Sequence, residues 1–309
     1  MRVIITGGTG LIGRELSKVL LDSGHEVIVL SRHPEGREKV SPEVEMVKWD
    51  ARSSRGWSDQ LEGADGLVNL AGENIAGSGL IPDRWTENKK EKILRSRLDA
   101  GRAVREAIES VNEKPEVLVQ ASAVGYYGPT GDRVVTESSE PGDGYLARTA
   151  RKWEEVTASV EAAGTRRAVI RTGLVLSTAE GAFPRLTLPF KFMVGGPLGD
   201  GKQYYPWIHI RDEARAIRFL LENEGLSGPF NLTAPEPESN RNFADELGDV
   251  MGRPSYFRVP GSLIRLLFGE AATLVLDGQR AVPEALTEAG FEFCYPELNS
   301  ALRDLLKNG

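Results

Sequence analysis

The residues best suited to chemistry cluster near residue 10. The run Thr6-Gly7-Gly8-Thr9-Gly10-Leu11-Ile12-Gly13 carries a G-x-x-G-x-x-G spacing. It lies directly behind the apolar run Val3-Ile4-Ile5 and directly ahead of a helical pattern. Glycine suits such a turn because, without a Cβ, the backbone can bend sharply and approach a ligand closely. The helix that follows offers free N–H groups and the positive end of its dipole, which suits a diphosphate. Gly13 would let helix and strand pack closely. The expected phosphate-binding set is Gly7, Thr9, Gly10, Leu11, Ile12 and Gly13, and the ligand a dinucleotide.

Ser31-Arg32 follows the second apolar run, Val27-Ile28-Val29-Leu30. An acidic residue there would hold the ribose hydroxyls of NAD. A guanidinium pairs instead with a 2′-phosphate, and a serine hydroxyl adds a bond. The pair points to NADP(H). His33, beside it, reads as a solvated surface histidine. Ser122 ends the fifth apolar run, at the edge where parallel sheets hold their ligands. Trp207 and His209 stand in an apolar stretch, where a histidine is more often a satisfied core group. Three histidines and one cysteine show no ligand-like spacing, so no metal site is expected.

These residues need elements to position them. Strands are expected at Val3–Ile5, Glu26–Ser31, Met46–Trp49, Gly66–Leu70, Val117–Ser122 and Ala168–Arg171. Helices are expected at Leu11–Leu21, Glu87–Val111 and Tyr145–Ala163. This alternation predicts an α/β fold, a Rossmann-type doubly wound parallel sheet. From about Leu174 prolines and glycines cluster, and shorter helical patterns follow near 212–222, 243–251 and 298–306. The expected division is a nucleotide-binding domain over 1–173 and a smaller C-terminal cap over 174–309, some of which returns to the main sheet.

The 309 residues are 40% hydrophobic and 27% charged, an ordinary globular composition. A formal net charge of -7 gives no basic excess for nucleic acid. No apolar run is long enough to span a membrane, and no leader-like segment precedes the first strand. A single cysteine, Cys294, allows no intrachain disulfide. A cytoplasmic protein with a small-molecule substrate is the expectation, with neither a nucleic-acid nor a membrane partner.

Beyond these motifs, the chain resembles the extended short-chain dehydrogenase/reductase superfamily. Within it, the chain is similar to an atypical NADP-binding, epimerase-like branch. The resemblance is carried by Asn69-Leu70-Ala71-Gly72-Glu73-Asn74-Ile75, Ser96-Arg97, Ser122-Ala123-Val124-Gly125-Tyr126-Tyr127-Gly128, Trp153-Glu154 and Arg171-Thr172-Gly173-Leu174. Gly195-Gly196-Pro197-Leu198-Gly199, Pro206-Trp207-Ile208-His209-Ile210, Asn231-Leu232-Thr233-Ala234-Pro235 and Leu276-Asp277-Gly278-Gln279-Arg280 extend it into the cap. It implies that Leu70 and Ala71 lie along the ribose and pyrophosphate. It places Arg97 where the superfamily usually has an asparagine, and Leu174 near the nicotinamide carboxamide. It also implies a monomer or a dimer built through the long helices.

The same resemblance calls for a serine, a tyrosine acid/base and a lysine four residues past the tyrosine. Ser122 and Tyr145 fit the first two roles, with Tyr126 and Tyr127 as alternative phenols. Four residues past Tyr145 stands Thr149; shifting the register by one gives Leu146 and Ala150. Neither register supplies the lysine, and a free phenol titrating near ~10 is a poor base without a cation. Two readings follow. One is an NADP(H)-dependent, epimerase-like oxidoreductase acting on a small polar, sugar-nucleotide-like substrate. The other is an NADP(H)-binding sensor or scaffold that acts through a partner.

Overall fold

Residues 1–35, 40–77, 79 and 83–307 are described in the computed structural model. The first half alternates strands and helices: β1 (Arg2–Thr6), α1 (Leu11–Asp22), β2 (Glu26–Ser31), β3 (Glu45–Lys48), β4 (Gly66–Asn69), α2 (Glu87–Ser110), β5 (Val117–Ala123), β6 (Val134–Val135), α3 (Tyr145–Glu155) and β7 (Arg166–Thr172). The second half opens with β8 (Leu174–Leu176), α4 (Phe183–Lys191), β9 (Tyr204–Tyr205), β10 (Trp207–His209), α5 (Ile210–Glu222) and β11 (Gly228–Leu232). It closes with β12 (Glu238–Ser239), α6 (Asn240–Met251), α7 (Gly261–Phe268), α8 (Thr273–Leu276), β13 (Arg280–Ala281), α9 (Glu284–Glu288) and α10 (Leu298–Lys307).

Seven strands form one sheet in the order β11-β7-β5-β4-β1-β2-β3. Every pairing in it is parallel. From β1 the chain winds outward to β2 and β3, then returns to β4 and winds the other way. The strand order therefore reverses between β1 and β4, and the crevice at their carboxyl ends is where such sheets bind ligands.

Successive strand residues face opposite sides, and both sides are covered. Val3, Ile5, Val27 and Val29 pack with Leu16 and Leu20 of α1 and Ile217 and Leu220 of α5. Ile4, Ile28, Leu67 and Leu118 pack with Ala103, Val104 and Ala107 of α2. A separate core lies in the second half of the chain, where Phe183, Phe190, Trp207, Phe243, Leu247 and Leu302 meet.

Helix α3 is shorter than the periodicity suggested. It stops at Glu155, and a tight 3-10 turn follows over Ala158–Val160. Val156 and Thr157 are β-branched and weaken the helix there, and the tighter turn seats Val160 fully in the core. The outer strand β11 contains Pro229, which a parallel sheet tolerates at an edge because no ladder donor is needed on its open side. Its outward N–H at Asn231 is taken by the Glu137 carboxylate, at 2.8 Å. Among the described residues no helix is long and apolar enough to cross a membrane.

Candidate functional site

The glycine run forms the turn between β1 and α1. Gly7 has φ +67, a left-handed conformation that favours glycine. A Cβ on Gly7 would lie 2.8 Å from the Leu70 carbonyl carbon, and one on Gly13 would lie 2.4 Å from the Gly8 Cα. These close approaches bring the turn, the Leu70-Ala71 backbone and the start of α1 together. Gly10 differs: a Cβ there would meet only the Gly7 carbonyl oxygen, at 3.2 Å. Gly10 is the N-cap of α1, and no side chain caps the helix, so its first N–H groups stay available to an anion. Thr9, Leu11 and Ile12 complete this rim, where the Thr9 carbonyl accepts from Arg14 at 2.6 Å.

Below the turn a buried polar ladder fixes the strand ends. Thr6 Oγ1 donates to Asn69 Oδ1 at 2.6 Å, and Asn69 Nδ2 donates to Gln120 Oε1 at 2.9 Å. The Ala71 N–H reaches back to Thr6 Oγ1 at 3.3 Å. Such a closed ladder costs little because every member is paired.

Register places Ser31-Arg32 beside the turn, since Thr6 pairs with Leu30 across β1 and β2. The Ser31 hydroxyl accepts from the His33 N–H at 3.1 Å and shapes the bend after β2. Arg32 is exposed and makes no ion pair among the described residues. Ser31 also pairs in register with Lys48 at the end of β3, so a second exposed cation stands beside Arg32. Lys48 carries no local signal of this role, because only the strand pairing brings it there.

Arg97 comes from α2 and lies against Gly72, just past Leu70-Ala71. Its guanidinium donates to the carbonyls of Glu73 and Ile93, both at 3.0 Å, and stacks 4.6 Å from the Trp153 ring. Burial pulls its pKa down to about 10, against the opposing pull of Tyr145 and Glu73. Leu174 opens β8, and its N–H donates to the Pro206 carbonyl at 2.7 Å. The loop after β8 folds over α1: Arg14 pairs with Glu180 at 3.2 Å, and Gly181 approaches Leu11.

Ser122 and Tyr145 stand on neighbouring elements, β5 and α3, but each hydroxyl is bonded within the protein. Ser122 Oγ donates to Glu154 Oε1 at 2.6 Å. Glu154 in turn receives both sides of the Arg171 guanidinium, at 2.9 and 3.0 Å. Arg171 is the register partner of Ser122 across β5 and β7. It also donates to the Tyr127 hydroxyl at 3.0 Å and lies 3.5 Å from the Tyr126 ring centre. Tyr127 donates to Asn231 Oδ1 at 2.7 Å, and burial pushes its pKa up to about 12. The Tyr127 phenol is thus committed to this buried network, and the Tyr126 ring packs against its guanidinium. The sequence offered Trp153-Glu154 as a motif without a role; the partner of Glu154 lies on β7 and had no local signal.

Tyr145 Oη donates to the Lys90 carbonyl at 2.8 Å, and its ring packs edge-on against Trp85. Burial raises its pKa; Thr149, Arg97 and Lys90 pull the other way without overcoming it. The cations near this phenol therefore come from α2 rather than from the next turn of α3. Tyr145 lines a hollow of about 190 Å³ at the end of β5, with Trp85, Asp143, Glu270, Asp277 and Gln279 among its walls. His209 is elsewhere: it is 1% exposed, stacks on Tyr295 at 3.9 Å and caps α5.

A model of the NAD dependent epimerase/dehydratase family matches residues 3–232, and a domain of unknown function (DUF1731) matches residues 259–305. The chain is 39% identical over 307 residues to the epimerase family protein YfhF of Bacillus subtilis (strain 168), covering 99% of this chain and 98% of that one. It is 36% identical over 309 residues to the epimerase family protein SDR39U1 of Mus musculus, covering 99% and 100%. The crystal structure of the human epimerase family protein SDR39U1 (isoform2) with NADPH superposes with a TM-score of 0.88, at 34% identity, over 100% of both chains.

Proposed function

The chain belongs to the NAD dependent epimerase/dehydratase family, and from that premise we propose that it binds NADP(H) in the crevice between β1 and β4. The observation that carries this reading is the pairing of an uncapped glycine turn with two exposed cations, Arg32 and Lys48, at the adjoining strand ends. Gly7, Thr9, Gly10, Leu11, Ile12 and Gly13 would hold the diphosphate. Ser31 and Arg32, helped by Lys48, would hold a 2′-phosphate. Leu70, Ala71, Arg97 and Leu174 would line the rest of the path. The bound SDR39U1 cofactor supports the choice of NADPH.

We propose further that the hollow beside Tyr145 receives a small polar substrate bearing a hydroxyl or a carbonyl. When bound, the nicotinamide supplies hydride acceptance or donation. Tyr145 is the proposed proton donor, because its phenol borders the hollow and burial favours its protonated form. Ser122 fixes the β5 end through Glu154. Asp277 and Gln279 offer polar groups to a substrate with hydroxyls. The sensor or scaffold reading draws on a different observation: Thr149 replaces the lysine, and both candidate hydroxyls are bonded internally.

A titration of NADPH and NADH, followed by nicotinamide fluorescence, tests the cofactor reading. Wild type should prefer NADPH. Arg32→Ala should weaken NADPH about tenfold or more and leave NADH unchanged, as expected for losing a charged hydrogen bond. Lys48→Ala should give a smaller loss of the same kind. Equal binding of the two cofactors, or binding of neither, would overturn the assignment. If NADPH binds but no carbonyl compound oxidises it, the scaffold reading leads.

A further inference from the structure

Helix α8 separates two spaces of opposite character. Thr273 and Asp277 face the polar hollow beside Tyr145. Leu274 and Val275, on the same short helix, line a second cavity of about 280 Å³ inside the cap. That volume approaches the lower end of small-ligand pockets, roughly 300 Å³. Phe190, Phe243, Leu247, Ile264 and Phe268 form much of its wall.

Three lining side chains carry polar atoms, and each is engaged by the protein. The Tyr205 hydroxyl donates to the Val275 carbonyl at 3.1 Å. Asn240 Oδ1 accepts from the Leu198 N–H at 2.7 Å. Arg185 donates to the carbonyls of Gly77 and Gly79, both at 2.6 Å. None of the three leaves a buried polar atom unpaired. The other lining residues carry no polar side-chain atom, so a polar occupant would give up hydrogen bonds to water and find few in return. An apolar occupant gains by leaving water.

The rim has the same character. Leu267 lines the cavity yet is 54% exposed, and Leu263 and Leu266 beside it on α7 are exposed as well. Exposed leucines of α7 therefore stand directly beside the cavity.

We propose that this cavity is a binding site for the hydrocarbon part of a small-molecule ligand, an aliphatic chain that enters past Leu267. The site does not depend on the NADP(H) reading, because none of its lining residues belongs to the glycine turn or to the strand ends that hold the two cations.

Calorimetric titration with n-alkanols from butanol to decanol tests it. Affinity should rise about fourfold per added methylene, the gain of burying that group. The rise should stop once the cavity is full. Ala244→Phe and Val259→Phe, both on the cavity wall, should each abolish binding while NADPH titrates as in wild type. Leu266→Ser, on the outer face of α7, should leave binding unchanged. Affinity that climbs with chain length without a limit, survives both cavity-filling changes or disappears with Leu266→Ser would mean adsorption to exposed leucines and would overturn the proposal. The wild-type length series stands even if one filled variant does not fold. The NADPH titration fails or succeeds separately.

Discussion

Ser122 and Glu154 share a 2.6 Å hydrogen bond that turns the hydroxyl at the end of β5 inward, toward a carboxylate already gripped by Arg171. The three groups join β5, α3 and β7 at the floor of the crevice. Arg171 is 4% exposed, so its charge depends on Glu154 for compensation.

Glu154→Gln should therefore destabilise the fold by roughly 3–5 kcal/mol, the usual cost of leaving a buried charge without its partner. Ser122→Ala removes one hydrogen bond and should cost about 1 kcal/mol. Urea unfolding midpoints report both. A Glu154→Gln variant as stable as wild type would show that water, not Glu154, compensates Arg171.

Gly10 and Gly13 should separate binding from folding. Gly10 has φ -77 and ψ 176, which alanine adopts freely, and its Cβ would meet only the Gly7 carbonyl oxygen. Gly10→Ala should shift stability by less than about 1 kcal/mol yet weaken NADPH at least tenfold, because the methyl group would occupy the ligand's approach. Gly13→Ala drives a methyl into the Gly8 backbone and should cost about 1–3 kcal/mol as well as binding. Thermal melts paired with fluorescence titrations decide this. Full NADPH affinity in Gly10→Ala would move the phosphate site elsewhere.

Glu213 makes stability depend on pH. Its carboxyl is fully buried; Thr172 Oγ1 donates to one oxygen at 2.8 Å, and the other oxygen has no partner. Burial raises its pKa from 4.5 to about 8. The folded state thus holds a proton that the unfolded chain releases between those values. Its contribution is fully present below about pH 4.5 and is lost as pH rises toward 8, by up to about 1.4 kcal/mol per pH unit. Glu213→Gln should flatten that slope and unfold at higher denaturant than wild type at pH 8. Parallel pH profiles of the two proteins would refute this.

The parallel sheet was legible because runs such as Val27-Ile28-Val29-Leu30 are apolar on both faces and are punctuated by helical periodicity. The glycine turn was legible because its spacing, preceding strand and following helix are all local. Strand β11 was not, since Gly228-Pro229 has the composition of a turn and only pairing with β7 makes it extended. Glu154, Lys90 and Lys48 escaped for the same reason. Each acquires its place from a partner far away in sequence: Arg171 on β7, the phenol of α3, or the neighbouring end of β2. The stretch Tyr145–Ala163 read as one helix because its apolar spacing continues past the point where Val156 and Thr157 tighten the backbone.

The outer edge of β11 also bears on assembly. Strand edges invite a second chain to continue the ladder through their unused backbone donors. Here Pro229 has no donor to give, and the Asn231 N–H is already bonded to Glu137. A second copy arriving along this edge would find both outward-facing donors unavailable. Continuous-sheet dimers and runaway stacking are disfavoured at that margin, so a ladder that extends this sheet between copies must start from its other edge, β3.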